Sequence, residues 1–309
     1  MTKAVVPEYL PAEQLARLSG AFEVVYDPDL HADRAALLAE LAGAEAVLIR
    51  NRTRIDSELL ASAARLRIVG RLGVGLDNID LTACSKAGVA VIPAIGVNAV
   101  SVAEYVMGAM LVLVRGVFSM TAAMVAGEWP RQGHAFGREL RGKTLGLVGF
   151  GAIARHVAER AAAFEMRVMA FDPGVPAGDP AWRSAERVDL DQLVADADVI
   201  SLHTPLTDET RNLIGPSMIE KMRPGTVLIN TARGGIVDED ALARALRDRR
   251  LGGAAIDVFA SEPLRGEDAA RFAGIDNLIL SPHLAGNSHE AVDEVADMIV
   301  DAVIGALQP

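Results

Sequence analysis

One cysteine, Cys84, is all that 309 residues contain. A single thiol excludes an internal disulfide and fits a reducing compartment, so a cytoplasmic protein is expected. No run of about 18 residues is free of charged and polar groups, which excludes a membrane-spanning helix. The most apolar stretch, from about Ala99 to Val114, carries Ser101 and Glu104 and ends at Arg115. The opening residues, Met1 to Glu8, lack signal-peptide architecture. No cluster of Cys, His or Asp has metal-ligand spacing, so no metal is expected. Basic charge is also short: 30 Lys and Arg against 41 Asp and Glu leave a net charge of −11. That balance argues against nucleic-acid binding. It also means that an anionic substrate must be held by a local cluster of arginines.

The length predicts two domains of ordinary size. Short apolar runs alternate with helical patterns, which predicts an α/β fold with parallel sheets. Expected strands include Ala4–Val6, Glu23–Tyr26, Ala46–Ile49, Leu66–Gly70, Leu145–Val148, Arg167–Phe171, Val199–Leu202, Thr226–Ile229, Gly253–Ile256 and Leu278–Leu280. Ser101-Val102-Ala103-Glu104 reads as a capping box that starts a long apolar helix. Residues from Gly116 to about Arg141 read as irregular. A last helix, Glu290–Leu307, is expected to return to the first domain. The expected division is therefore a discontinuous domain, 1–98 with 287–309, and a nucleotide domain, 99–286.

The second domain opens on Val148-Gly149-Phe150-Gly151-Ala152-Ile153-Ala154, between an apolar strand and a helix. Strand, Gly-x-Gly and helix in that order form a dinucleotide fingerprint. Gly149 allows a tight turn, and Gly151 has no side chain to hold off a pyrophosphate. Ala152 and Ile153 open the helix, whose free backbone N–H groups attract that anion. Asp172 ends the next strand, about twenty residues on, where a carboxylate takes the ribose hydroxyls and repels a 2′-phosphate. The cofactor expected is NAD. A turn cap at Asp172-Pro173-Gly174 is the alternative role for this acid.

Three later strands end in Asn230-Thr231-Ala232-Arg233-Gly234, in Asp257-Val258-Phe259 through Glu262-Pro263, and in Ser281-Pro282-His283. Together they supply a guanidinium, a carboxylate and an imidazole. That set suits hydride transfer to a 2-keto acid. Histidine is the proton donor best matched to neutral pH. A carboxylate beside it stabilises imidazolium. Arginine grips the substrate carboxylate with its planar fork. His203 reads as structural, and His31, His134, His156 and His289 have no partner pattern.

In these motifs the chain resembles the D-isomer-specific 2-hydroxyacid dehydrogenase family over nearly its whole length. The resemblance implies a Rossmann-type doubly wound sheet in the nucleotide domain and a flavodoxin-like α/β substrate domain. It implies Arg233 as substrate orienter, His283 as acid/base and Glu262 as its partner. It further implies Asp257 at the nicotinamide amide, Thr204 along the cofactor, and the backbone of Val74 and Gly75 at the substrate carboxylate. Ala154 replaces the usual third glycine and Ser281 stands where Thr is common. Arg50, Arg52, Arg71 and Arg131 are candidates for a second substrate anion. Their segments resemble the phosphoglycerate dehydrogenase branch and the sulfolactate dehydrogenases alike. A homodimer is expected from the apolar helix Ser101–Val114 and from the exposed-looking Gly127-Glu128-Trp129-Pro130-Arg131, which resembles a segment that reaches across a dimer and gives an arginine to the neighbour's site. The alternatives are a glyoxylate or hydroxypyruvate reductase, and an NAD(H)-sensing binding protein resembling corepressors of this family.

Overall fold

The computed structural model describes residues 2–131 and 137–308. The chain divides into two compact units, Met1–Asn98 with Asn287–Pro309, and Ala99–Gly286.

The first unit holds β1 (Lys3–Val6), α1 (Ala12–Ala21), β2 (Glu23–Tyr26), α2 (Arg34–Leu41), β3 (Ala46–Ile49), α3 (Ser57–Ser62), β4 (Ile68–Arg71), α4 (Leu81–Ala87) and β5 (Ala90–Pro93). All five strands are parallel in the order β2-β1-β3-β4-β5. The strands are short and apolar on both faces, as a sheet covered on both sides requires. Ala4, Val6, Leu48 and Ile68 face α1 and the C-terminal helix, His289–Leu307. Val5, Val47, Ile49 and Val69 face α2, α3 and α4. The free thiol of Cys84 is buried in that second layer. Gly70 lets the C-terminal helix close on β4: a Cβ there would stand 2.8 Å from Ile299 Cγ2.

The second unit holds α5 (Ala99–Arg115), α6 (Thr121–Val125), β6 (Thr144–Val148), α7 (Ala152–Ala163), β7 (Arg167–Phe171), β8 (Glu186–Arg187), α8 (Leu190–Asp196), β9 (Val199–Leu202), α9 (Pro216–Lys221), β10 (Val227–Asn230), α10 (Glu239–Arg247), β11 (Gly253–Ile256), α11 (Gly266–Ala270) and β12 (Leu278–Leu280). Its seven parallel strands run β12-β11-β10-β9-β6-β7-β8. This is the doubly wound order, with its reversal between β6 and β9. Leu145, Leu147, Val168 and Ile229 pack under α5 and α7. Val148, Ile200, Leu202 and Ile256 pack under α8 and α10. Among the described residues no single helix is long and apolar enough to cross a membrane.

Several expectations need correction. Ser101 is not an N-cap, because α5 begins two residues earlier at Ala99. A turn over residues 95–98, with Gly96 at φ 82°, has already set the chain into the helix. Gly116–Arg141 is not wholly irregular: Val117–Met120 forms a 3₁₀ turn and α6 follows. The elements α4 and β5 have no counterpart among the expected ones. The helix is capped by Asp80, whose carboxylate accepts the Ala83 N–H, and ends on Gly88 at φ 70°. Arg71 is the last residue of β4, in register with Ile49, rather than part of a loop. His134 lies outside the described residues.

Candidate active site

The fingerprint turn joins β6 to α7. Gly149 has φ 89°, and a Cβ on it would strike the His203 carbonyl. Only glycine meets both demands. The Gly151 Cα faces open space instead, directly before the first helical residue, Ala152. Ala154 is fully buried between α7 and the sheet, so the methyl group is accommodated. Asp172 ties the turn to the end of β7. One carboxylate oxygen accepts the Phe150 N–H at 2.7 Å and the other the Gly174 N–H at 2.8 Å. It therefore caps the following turn and stands beside the glycines at once. Thr204 lies across from Gly149, just after β9. The open Gly151, the free helix N-terminus and the acid at the next strand end suit an NAD pyrophosphate and ribose.

His203 is partly accessible, and desolvation pulls its imidazole pKa down to about 3. Its Nε2 pairs with Ser201 Oγ at 2.9 Å. It is a neutral side chain that fixes the backbone facing Gly149.

The carboxyl ends of β10, β11 and β12 carry the expected chemistry. Asn230 ends β10 and closes the next turn on itself: its amide donates to the Arg233 carbonyl and accepts from the Ala232 N–H. This turn presents Arg233, whose Nη1 also donates to the Ala232 carbonyl at 2.6 Å. Gly234 then meets the backbone of Phe259 and Ala260, so the Arg233 turn rests on the turn that carries Glu262. Glu262 Oε1 accepts the Phe259 N–H at 3.0 Å, and Glu239 Oε1 accepts the Ala260 N–H at 2.7 Å.

His283 Nδ1 lies 2.8 Å from Glu262 Oε2. A carboxylate accepts, so Nδ1 carries the proton and Nε2 is the nitrogen left for chemistry. The hydrogen bond to Glu262 raises the imidazole pKa above its usual value; burial and Arg233 oppose it, and the charges of Glu262 and Asp257 assist. Burial pushes Glu262 upward, yet its bonds to His283 and Phe259, with the charges of His283 and Arg233, hold it below the usual carboxylate range.

His283 adopts φ 58°, a left-handed conformation rare for a side chain of this size. Asp257 holds it there. The Asp257 carbonyl accepts the His283 N–H at 2.8 Å. The Asp257 carboxylate accepts from Ser281 Oγ, Leu284 N and Ala285 N at 2.6, 2.8 and 2.9 Å. Asp257 is only 1% exposed, and its carboxylate anchors the loop that carries His283. Since Ser281 spends its proton on Asp257, the Tyr105 hydroxyl donates to Ser281 Oγ at 2.6 Å. Burial, partly offset by the bond to Ser281, raises the pKa of that phenol.

Of the expected substrate arginines, Arg50 and Arg71 belong to the first unit and Arg131 to the second. Arg50 follows β3, Arg71 ends β4, and Val74 and Gly75 lie just beyond it, all at carboxyl ends in the first unit. Arg71 is nearly buried, and its Nη1 donates to the Leu72 carbonyl at 2.9 Å. Its side chain also lies against Gly73 and so braces that loop. Arg50 is half-buried and Arg131 is exposed on the segment after α6. Two residues with a part here had no local signal: Tyr105, and Glu239, which reads only as the first residue of a helix.

Among the described residues no group of three or more His, Cys, Asp or Glu is placed to hold a metal ion. The profile of the D-isomer specific 2-hydroxyacid dehydrogenase NAD-binding domain matches residues 107–285. The (S)-sulfolactate dehydrogenase of Chromohalobacter salexigens is 50% identical over 308 residues, 99% of each chain. A D-3-phosphoglycerate dehydrogenase of Archaeoglobus fulgidus is 38% identical over 271 residues, 88% of this chain and 51% of its own length. The solved structure of the TT0316 protein from Thermus thermophilus superposes with a TM-score of 0.89 at 34% identity, over 100% of this chain and 98% of its own. The chain therefore belongs to the D-isomer-specific 2-hydroxyacid dehydrogenase family and is an NAD-dependent oxidoreductase that interconverts a 2-hydroxy acid and a 2-keto acid.

Proposed function

We propose that the substrate carries a second anion at C3 and is 3-sulfolactate, with 3-sulfopyruvate as the keto acid. The whole-length likeness to a sulfolactate dehydrogenase is the observation that carries the choice. The arginines support it. In a chain with excess acid, Arg50 and Arg52 form no ion pair among the described residues.

Gly149, Gly151, Ala152 and Ile153 hold the pyrophosphate, Asp172 the ribose, and Thr204 lines the cofactor. The nicotinamide of NAD supplies or accepts the hydride. Arg233 grips the substrate carboxylate and polarises the keto oxygen. His283 Nε2 gives that oxygen its proton in reduction and removes it in oxidation. Glu262 fixes the ring and stabilises imidazolium. The backbone N–H groups of Val74 and Gly75 take the substrate carboxylate, on the loop that Arg71 braces. Arg50 takes the C3 anion; Arg71 and Arg131 are the further candidates for it.

NADH oxidation tests this against 3-sulfopyruvate, 3-phosphohydroxypyruvate, hydroxypyruvate, glyoxylate and pyruvate. An advantage in kcat/KM of about a hundredfold for 3-sulfopyruvate, roughly 2.7 kcal/mol, is expected. Equal rates with glyoxylate or hydroxypyruvate would assign a general reductase. Tight NADH binding with no turnover on any acid would assign a sensor.

We also propose a cytoplasmic homodimer. Val117, Phe118, Met124, Val125 and Trp129 are all exposed within one short segment, and grouped exposed apolar side chains suit a contact surface. Light scattering at micromolar concentration is expected to give twice the chain mass.

A further inference from the structure

We propose that Glu8 is a positioning residue that sets discrimination for the doubly anionic substrate, an inference that rests on the reading of Arg50 above and extends it to Arg52. Glu8 lies two residues past β1 and is only 3% exposed. Its Oε1 accepts the N–H of Arg50 at 2.8 Å and of Thr53 at 3.0 Å, and its Oε2 accepts the N–H of Arg52 at 3.1 Å. The carbonyls of the same loop are tied from the other side. Asn78 Nδ2 donates to the Arg50 carbonyl at 3.0 Å and the Thr53 carbonyl at 2.6 Å. The backbone after β3 is thus clamped between one buried carboxylate and one amide.

Three peptide N–H groups converging on one point make an anion site of their own. Glu8 fills it from within. A substrate sulfonate or phosphate therefore meets the guanidinium groups that this loop projects, and not its backbone. Burial lowers the Arg50 pKa, and the nearby charge of the same carboxylate partly offsets that. The segment before Glu8 also reaches Arg52. His31 Nδ1 faces the carbonyls of Pro7 and Pro28 at 3.3 and 3.1 Å, and so carries the proton. Its bare Nε2 then faces Arg52 Nη1 at 3.4 Å. Glu8 touches neither substrate nor cofactor in this account. It acts only through where Arg50 and Arg52 point.

A keto acid with no second anion makes no use of those arginines, so the effect must split by substrate. Glu8→Gln keeps the shape but turns an NH₂ group toward a donor, leaving one loop N–H without an acceptor. The test is steady-state kinetics of the full-length protein with NADH, using 3-sulfopyruvate and glyoxylate, beside melting temperature and NADH affinity. For Glu8→Gln we expect KM for 3-sulfopyruvate to rise at least tenfold. Its kcat, and the KM for glyoxylate, should stay within twofold. Glu8→Asp should show the same split at smaller size, and it carries the test if Glu8→Gln does not fold. Arg52→Ala should raise KM for 3-sulfopyruvate alone, and by less when Glu8 is already Gln. An equal rise in KM for both acids, or no rise for either, overturns the positioning role while the substrate reading stands. A wild-type protein without preference for 3-sulfopyruvate overturns both.

Discussion

Gly234 rests against the backbone of Phe259 so closely that a Cβ would overlap the Phe259 carbonyl. The guanidinium turn and the carboxylate turn are therefore one assembly with no side chain between them. Gly234→Ala must move one turn against the other, since neither obstacle is a flexible side-chain end. Misplacement by about 1 Å can cost roughly a hundredfold in rate. We expect kcat to fall by about that factor while NADH affinity, proposed to be set at Gly149 and Gly151, holds. Fluorescence titration with NADH and steady-state rates on one sample separate the two. Equal loss of both would show that the whole unit has been disturbed.

The pH dependence follows from the His283–Glu262 pair. With His283 as the proposed proton donor, the rate of keto-acid reduction should fall as pH rises through the raised imidazole pKa. Oxidation of the hydroxy acid should rise over the same range. Replacing Glu262 with Gln removes the largest upward influence, so both limbs should move to lower pH. His283→Ala should lower kcat by about 10² to 10⁴ with NADH binding intact. The pair also links to stability. The raised imidazole stabilises the fold fully below the unfolded value of 6.5, and that contribution is lost as pH climbs through the folded value. Lowered Glu262 contributes above its unfolded value of 4.5 and loses its share as pH falls. A profile of kcat/KM that Glu262→Gln leaves in place would contradict this.

Asp257 accepts three hydrogen bonds from the loop that carries His283 while almost wholly out of water. Asparagine offers one accepting oxygen and turns its NH₂ group on a donor. A buried group left unsatisfied costs about 1–3 kcal/mol. Asp257→Asn should destabilise the protein by that amount in urea titrations and lower kcat through His283. Full activity with unchanged stability would mean that the loop holds itself.

Gly70→Ala should weaken the seat of the C-terminal helix. The new methyl would meet Ile299 Cγ2 at 2.8 Å, Val303 Cγ2 at 3.0 Å and Leu48 Cγ at 3.3 Å. These are side-chain ends, so the cost is overpacking, about 1–3 kcal/mol. Thermal unfolding followed by circular dichroism should show a lower midpoint, and an unchanged one would mean that the helix shifts freely.

Much of this was legible in the chain because its signals are local. Glu23–Tyr26 and Val199–Leu202 are apolar runs between turn residues, and both form strands with those bounds. The turn at Gly149 is legible because strand, glycine and helix are contiguous. His283 and Glu262 stand out because each sits beside proline or glycine after a strand. What was not legible shares one cause. Asp257 and Arg71 belong to motifs, but which chain atoms each side chain touches depends on loops folded over it. Glu8 acts on residues more than forty positions away, and nothing near it marks that reach. The Ser101–Glu104 pattern is genuine as a pattern, yet the helix had already begun upstream.

The return of His289–Leu307 to the first sheet has a consequence for biogenesis. Val295, Ile299, Val300 and Val303 complete the layer over Ala4, Val6, Leu48 and Ile68. During synthesis those strands emerge early, but the helix that covers them emerges last, after the whole of Ala99–Gly286. A nascent chain therefore carries a half-clad apolar sheet while the inserted unit is being made. The nucleotide unit has all of its own elements before that point. It can finish first, and the sheet that precedes it in the gene closes second.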